Sequence, residues 1–187
     1  MRARRVAGSG NAVQEVAARI GRVLGDAGIV VGGLAVSAHG HVRGTDDVDF
    51  VTKLEPREVK KRLSRVGIES RMERHDEEKG EPPWTLSGTL LDVRFDILPP
   101  LVPIYWSRTI AVRLPDGTVV RVVDLEALLR LKIRAGGHKD LWDVAALIRV
   151  HPAHMDTALR VAAAYGVGDE LKRWLHDRRP ASGRTGR

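Results

Sequence analysis

The chain has 187 residues, 43% hydrophobic and 29% charged, enough for one domain with a sizeable core or a domain plus a small helical lobe. No apolar run reaches the roughly eighteen residues of a membrane span, Met1-Arg2-Ala3-Arg4-Arg5 lacks the apolar stretch of a secretory signal, and the absence of cysteine excludes disulfide and thiolate chemistry; the expected location is cytoplasmic, with no membrane partner. The net charge of +7 sits in the tails: Arg2, Arg4, Arg5, Arg178, Arg179, Arg184 and Arg187 account for it, leaving 24 basic and 24 acidic groups between residues 6 and 177. Residues 1–5 and 178–187 are therefore expected as basic, disordered tails that can attract RNA in a salt-dependent way, and the segment between them has no net positive charge.

In chain order, a helix is expected over 11–26. Ile29-Val30-Val31 then reads as a short strand ending at Gly32-Gly33, followed by an Ala-rich helix over 34–39. Glycines there let a phosphate or another backbone come close, and the helix start offers free N–H groups. In Asp47-Val48-Asp49-Phe50-Val51-Thr52 the alternation places Asp47 and Asp49 on one face of a strand, roughly 6.5 to 7 Å apart at the backbone, with Asp46 on the other. A helix is expected over 56–65. Strands are expected over 68–74, 84–98, 109–114 and 119–123, with Pro115-Asp116-Gly117 as the last turn.

Within the 84–98 segment, Leu91, Val93, Phe95 and Ile97 form an apolar face and Asp92, Arg94 and Asp96 a polar one. Asp92 reads as a partner of Arg94 or of solvent. The Pro-rich stretch 99–103 is a loop, and Tyr105 and Trp106 after it either stack on a base or pack at the loop edge. His39 and His41 read as a polar helix end, since neither has a metal-ligand spacing.

Asp124 is the expected N-cap of a helix over 125–135 closed by Gly136-Gly137. Lys132 falls on the stripe of Leu125, Leu128 and Leu129, so its ammonium either meets an anion or snorkels to water. A further helix opens near Lys139 with Asp140 and Asp143 in its first turn, where capping alone accounts for both acids. Residues 152–176 read as two more helices, giving a palm over 6–123 and a helical lobe over 124–177.

The chemistry these residues suggest is metal-assisted. Asp47 and Asp49 together suit Mg2+, which prefers carboxylate oxygens, water and substrate phosphates. Asp96 on its own one-sided strand either completes such a site or acts as general base, provided its strand pairs near that of Asp47 and Asp49.

Val31-Gly32-Gly33, a thirteen-residue spacer and Asp47-Val48-Asp49-Phe50 resemble the signature of the nucleotidyltransferase superfamily with the DNA polymerase beta-like palm. Arg43-Gly44-Thr45 and Arg94-Phe95-Asp96-Ile97-Leu98 look like its small prokaryotic members. The stretch from Leu131 to Asp143 resembles, more loosely, a motif of abortive-infection and toxin-type nucleotidyltransferases. The resemblance implies a mixed α/β (α+β) palm flanked by helices with a C-terminal helical portion. It also implies Asp47, Asp49 and Asp96 as metal ligands, Gly32 and Gly33 as nucleotide loop, and Arg43, Thr45 and Asp140 near the nucleotide, with Lys132 in phosphate contact. Gly33 departs from the Ser of many members.

The expected reaction moves a nucleoside monophosphate from a nucleoside triphosphate (NTP) to an RNA such as tRNA, a protein or a small molecule, releasing pyrophosphate with Mg2+ as cofactor. The alternatives are a catalytically silent module of the same fold, for example half of a toxin-antitoxin pair binding RNA or an antitoxin partner, and Mg2+-dependent phosphodiester hydrolysis.

Overall fold

The computed structural model describes residues 4–5, 11–76 and 80–176. Most of the two expected tails therefore lies outside the described residues, but Arg4–Arg5 form a short strand, β1. The chain divides into two compact units, 1–128 and 129–187, which part inside a helix.

The first unit is built on one mixed sheet. Its elements are β1, α1 (Asn11–Leu24), β2 (Gly28–Val30), α2 (Gly32–Ala38), β3 (Asp47–Thr52), α3 (Pro56–Arg65), β4 (Arg71–Arg74), β5 (Trp84–Leu90), β6 (Val93–Leu98), β7 (Ile110–Arg113) and β8 (Val119–Val122). The strand order is β1-β7-β8-β2-β3-β6-β5-β4. β3 runs antiparallel to β2 and parallel to β6, so neighbours far apart in sequence meet at the centre of the sheet.

Period-two patterning assigns the faces. Val48 and Phe50 stand opposite Phe95 and Ile97 in the β3–β6 register, and all four are buried. The Phe50 ring reaches toward α1, 3.8 Å from where a Cβ on Gly21 would stand. α1 covers this side of β2, β3, β6 and β8, and its own Val16, Ala17, Ile20 and Leu24 are buried there. α3 packs on α1 and β5 through Val59 and Leu63. Pro56 at its first turn needs no hydrogen-bond donor, and so fixes the helix start where the sequence placed it.

The structure differs from expectation in three places. The 84–98 segment is a hairpin: Leu90 pairs with Val93 across a two-residue turn, with Leu91 at φ 52° and Asp92 at φ 60°. Both residues leave the strand, so Leu91 is exposed and not part of the apolar face, and Asp92 is a turn residue. α2 begins at Gly32, inside the Gly-Gly pair and not after it, and the strand expected from Ile68 begins only at Arg71.

The helix that crosses the unit boundary is α4 (Leu125–Ala135). Asp124 Oδ1 accepts from the Ala127 N–H at 3.1 Å, the expected capping bond, and Gly136 ends the helix at φ 66°. The second unit continues with α5 (His138–Val150), α6 (Met155–Ala164) and α7 (Gly168–His176), α7 packing on both α5 and α6.

Candidate active site

The acids share one face because of sheet register. In the parallel β3–β6 ladder Asp49 stands opposite Asp96, and Asp47 opposite Arg94. Residues directly opposite share a face, and neighbouring strands lie about 4.8 Å apart, so Asp47, Asp49 and Asp96 project together on the side away from Phe50 and Ile97. Across β5 the row extends: Ser87 stands opposite Asp96, and Thr89 opposite Arg94. Asp46 is exposed, outside this set.

Three contacts fix the side chains. The Thr45 hydroxyl donates to Asp47 Oδ1 at 2.8 Å, and Thr45 itself is buried. Arg94 Nη2 lies 3.5 Å from Asp47 Oδ2 and its Nε 3.8 Å from Asp96 Oδ2, so one exposed guanidinium bridges two of the acids. Arg94 is the site residue that sequence reasoning did not single out. The Val31 N–H donates to the Asp49 carbonyl at 2.9 Å, tying the entry to α2 onto β3.

The Gly-Gly pair serves these side chains directly. A Cβ on Gly32 would come within 1.8 Å of Asp49 Oδ2, and one on Gly33 within 2.5 Å of Thr45 Oγ1 and 3.3 Å of Arg43 Nη1. Gly32 also sits at φ 62°, where a side chain is strained. The serine that would fit the resemblance at position 33 has no room here, because the Thr45 hydroxyl holds that space. Arg43 bends back to the Gly44 carbonyl at 2.9 Å, and His39, buried at the end of α2, meets the Val123 carbonyl at 2.8 Å.

Gly32→Ala is expected to destabilise the fold by about 1–3 kcal/mol through the left-handed backbone alone, and to push Asp49 out of its position. A denaturant midpoint unchanged from the parent chain would contradict this close packing.

Three carboxylates with accessible oxygens on one sheet face are donors that suit a hard cation such as magnesium, and Thr45 fixes one of them. Among the described residues no group of three or more acidic or histidine side chains is already converged on one metal position.

In the second unit Lys132 has found its anion. Its Nζ lies 2.6 Å from Asp140 Oδ1 and 3.0 Å from Asp143 Oδ2, with Asp143 fully buried and Lys132 nearly so. Burial pulls the ammonium pKa down, but Asp143 and then Asp140 outweigh it, and the net shift is upward. Sequence reading had placed Asp140 at the nucleotide and left Asp143 as a capping acid. Their i, i+3 spacing on α5, which puts both on one helix face, was the available signal.

No family model matches the chain, and no curated protein matches it. Among solved structures, the crystal structure of ANT(2")-Ia in complex with adenylyl-2"-tobramycin is similar, with a TM-score of 0.58 at 15% identity, covering 82% of this chain and 96% of that one. JHP933 from Helicobacter pylori aligns at TM-score 0.43 and 14% identity over 88% of this chain and 94% of its own. TM1012 from Thermotoga maritima aligns at TM-score 0.44 and 17% identity over 88% and 92%. The first of these establishes the shared architecture: the chain has a nucleotidyltransferase fold.

Proposed function

We propose that this nucleotidyltransferase fold is catalytically active and transfers a nucleoside monophosphate from an NTP to an acceptor hydroxyl, with magnesium as cofactor and pyrophosphate as the second product. The observation that carries the reading is the β3–β6 register, which stands Asp49 beside Asp96 and keeps Asp47 on the same face. Two strands separated by forty residues of chain meet with their acids aligned, while the alternate positions, Val48, Phe50, Phe95 and Ile97, fill the core.

Asp47 and Asp49 would hold the metal, which when bound supplies charge stabilisation for the reacting phosphoryl group. Thr45 holds Asp47 in one orientation, and Asp96, opposite Asp49, would take the proton of the incoming hydroxyl. Gly32 leaves the Asp49 carboxylate room and keeps the nearby backbone open to phosphate oxygens. Arg94 offsets the mutual repulsion of Asp47 and Asp96. Lys132 and Asp140 are engaged with each other.

The similar ANT(2")-Ia structure is a complex with an adenylylated tobramycin, so a small hydroxylated molecule is the first acceptor class to try. The decisive experiment incubates the protein with each labelled NTP, magnesium and cell extract. It asks whether label enters RNA, protein or small molecules, with a chelator control. Magnesium-dependent incorporation into one class supports the reading. Label only released, never transferred, means hydrolysis, and no binding of ATP with magnesium in a calorimeter means a silent module.

A further inference from the structure

Helix α3 carries Arg57, Lys60, Lys61, Arg62 and Arg65 against a single acid, Glu58. Arg62 is taken: its Nε donates to Glu58 Oε1 at 2.8 Å, and that bond, with Lys61 and Arg65 close by, holds the Glu58 carboxyl below its usual range. Arg57, Lys60, Lys61 and Arg65 are all exposed, and among the described residues none of them has an ion pair or side-chain hydrogen bond. Other surface arginines of this unit do have partners: Arg19 with Glu15, Arg22 with Asp116, Arg121 with Asp26.

Spacing makes the four cations one surface. Arg57, Lys61 and Arg65 follow each other at i, i+4 and i+8, a stripe about 12 Å long, with Lys60 beside it. Like charges at this spacing repel and weaken a helix, so the fold gains nothing from the pattern. An external polyanion relieves the repulsion. The opposite side of α3 is buried through Val59 and Leu63, which leaves no apolar face to enter a bilayer.

The segment leading into α3 also meets an aromatic turn with one half-buried and one exposed ring. Lys53 Nζ stands 5.3 Å over the Trp106 ring, which holds the 105–108 turn beside the β3–α3 junction. On that turn Tyr105 is 60% exposed, and the Arg108 guanidinium lies 4.6 Å from its ring centre. An acidic protein would need only the cations. Exposed aromatic rings with stacked or neighbouring cations suit unstacked bases.

We infer that this surface binds single-stranded nucleic acid, with backbone phosphates along Arg57, Lys61 and Arg65 and a base against Tyr105. It shares no residue with the acidic face, so it stands or falls independently of the proposed transfer reaction.

Fluorescence anisotropy of a labelled mixed-sequence single-stranded RNA, without NTP, tests it on the full chain. Three phosphate contacts predict that affinity falls roughly twenty-fold between 50 and 200 mM salt. The combined Arg57→Glu, Lys61→Glu and Arg65→Glu variant should lose at least about tenfold in affinity. Tyr105→Ala should lose about five- to a hundred-fold. Thermal melting confirms that both variants remain folded, as solvent-facing substitutions should. Unchanged affinity in the charge-reversed variant overturns the proposal. So does competition by polyglutamate equal to that by unlabelled RNA together with unchanged binding by Tyr105→Ala.

Discussion

Asp49→Asn is expected to reduce magnesium-dependent nucleotide transfer by about 10²–10⁴-fold, and Asp47→Asn by a similar factor. The substitution keeps the shape of the side chain while removing the charge that a divalent cation requires. Asp49 is the more exposing test, because its carboxylate lies against Gly32 and opposite Asp96, where no other acid can take its place. Asp96→Asn is expected to cost about 10²–10⁴-fold as a lost general base. Asp46→Asn is the control: it neighbours the pair in sequence but is exposed and outside the set, so its rate should stay within about twofold of the parent. Equal activity in the parent, Asp47→Asn and Asp49→Asn proteins, measured by label transfer, would refute the assignment of this face as catalytic.

Lys132→Met should be the most destabilising of the substitutions considered, by about 3–5 kcal/mol, because it strands the fully buried Asp143 carboxylate without its cation. For a chain of this size that corresponds to a melting temperature lower by roughly 6–20 °C. Adding Asp143→Leu removes the stranded charge and should recover much of the loss, which a double-mutant comparison reads directly. A loss below about 1 kcal/mol in the single variant would show that the pair is not the clamp its geometry suggests.

The sign of the pH dependence follows from the same contacts. Since the Lys132 pKa is raised in the folded protein, its contribution is complete below the ordinary lysine value of 10.5 and is lost as pH climbs through the higher folded value. Melting curves in the alkaline range should show that decline in the parent and not in Lys132→Met.

Local signals made much of this molecule legible. Alternation in Asp47–Thr52 gave β3 its bounds, and the helix expected from Pro56 to Arg65 is α3. Glycine and aspartate at Gly136 and Asp124 marked the ends of α4. Pairing partners were not legible, because register between β3 and β6 is decided by long-range packing of Phe50, Phe95 and Ile97 and not by anything within either strand. Arg94 was missed for that reason: without the register, its nearest visible acid was Asp92, and its contact with Asp47 came only from the folded sheet. The turn at Leu91-Asp92 escaped notice because it lacks the Asn-Gly or Gly-Gly signature that such turns usually carry.

That turn links a remote corner of the sheet to the acids. Both of its residues hold positive φ without being glycine, a conformation that leucine in particular resists. Substituting Asn at 91 and Gly at 92 would relax it and tighten the hairpin. A single residue inserted there should be absorbed by the loop, because a slip of one position in β6 would turn Asp96 inward and Phe95 and Ile97 outward, which the buried face forbids. The core thus guards the third acid: the tip of the hairpin can change in length while the sheet goes on presenting the same carboxylates.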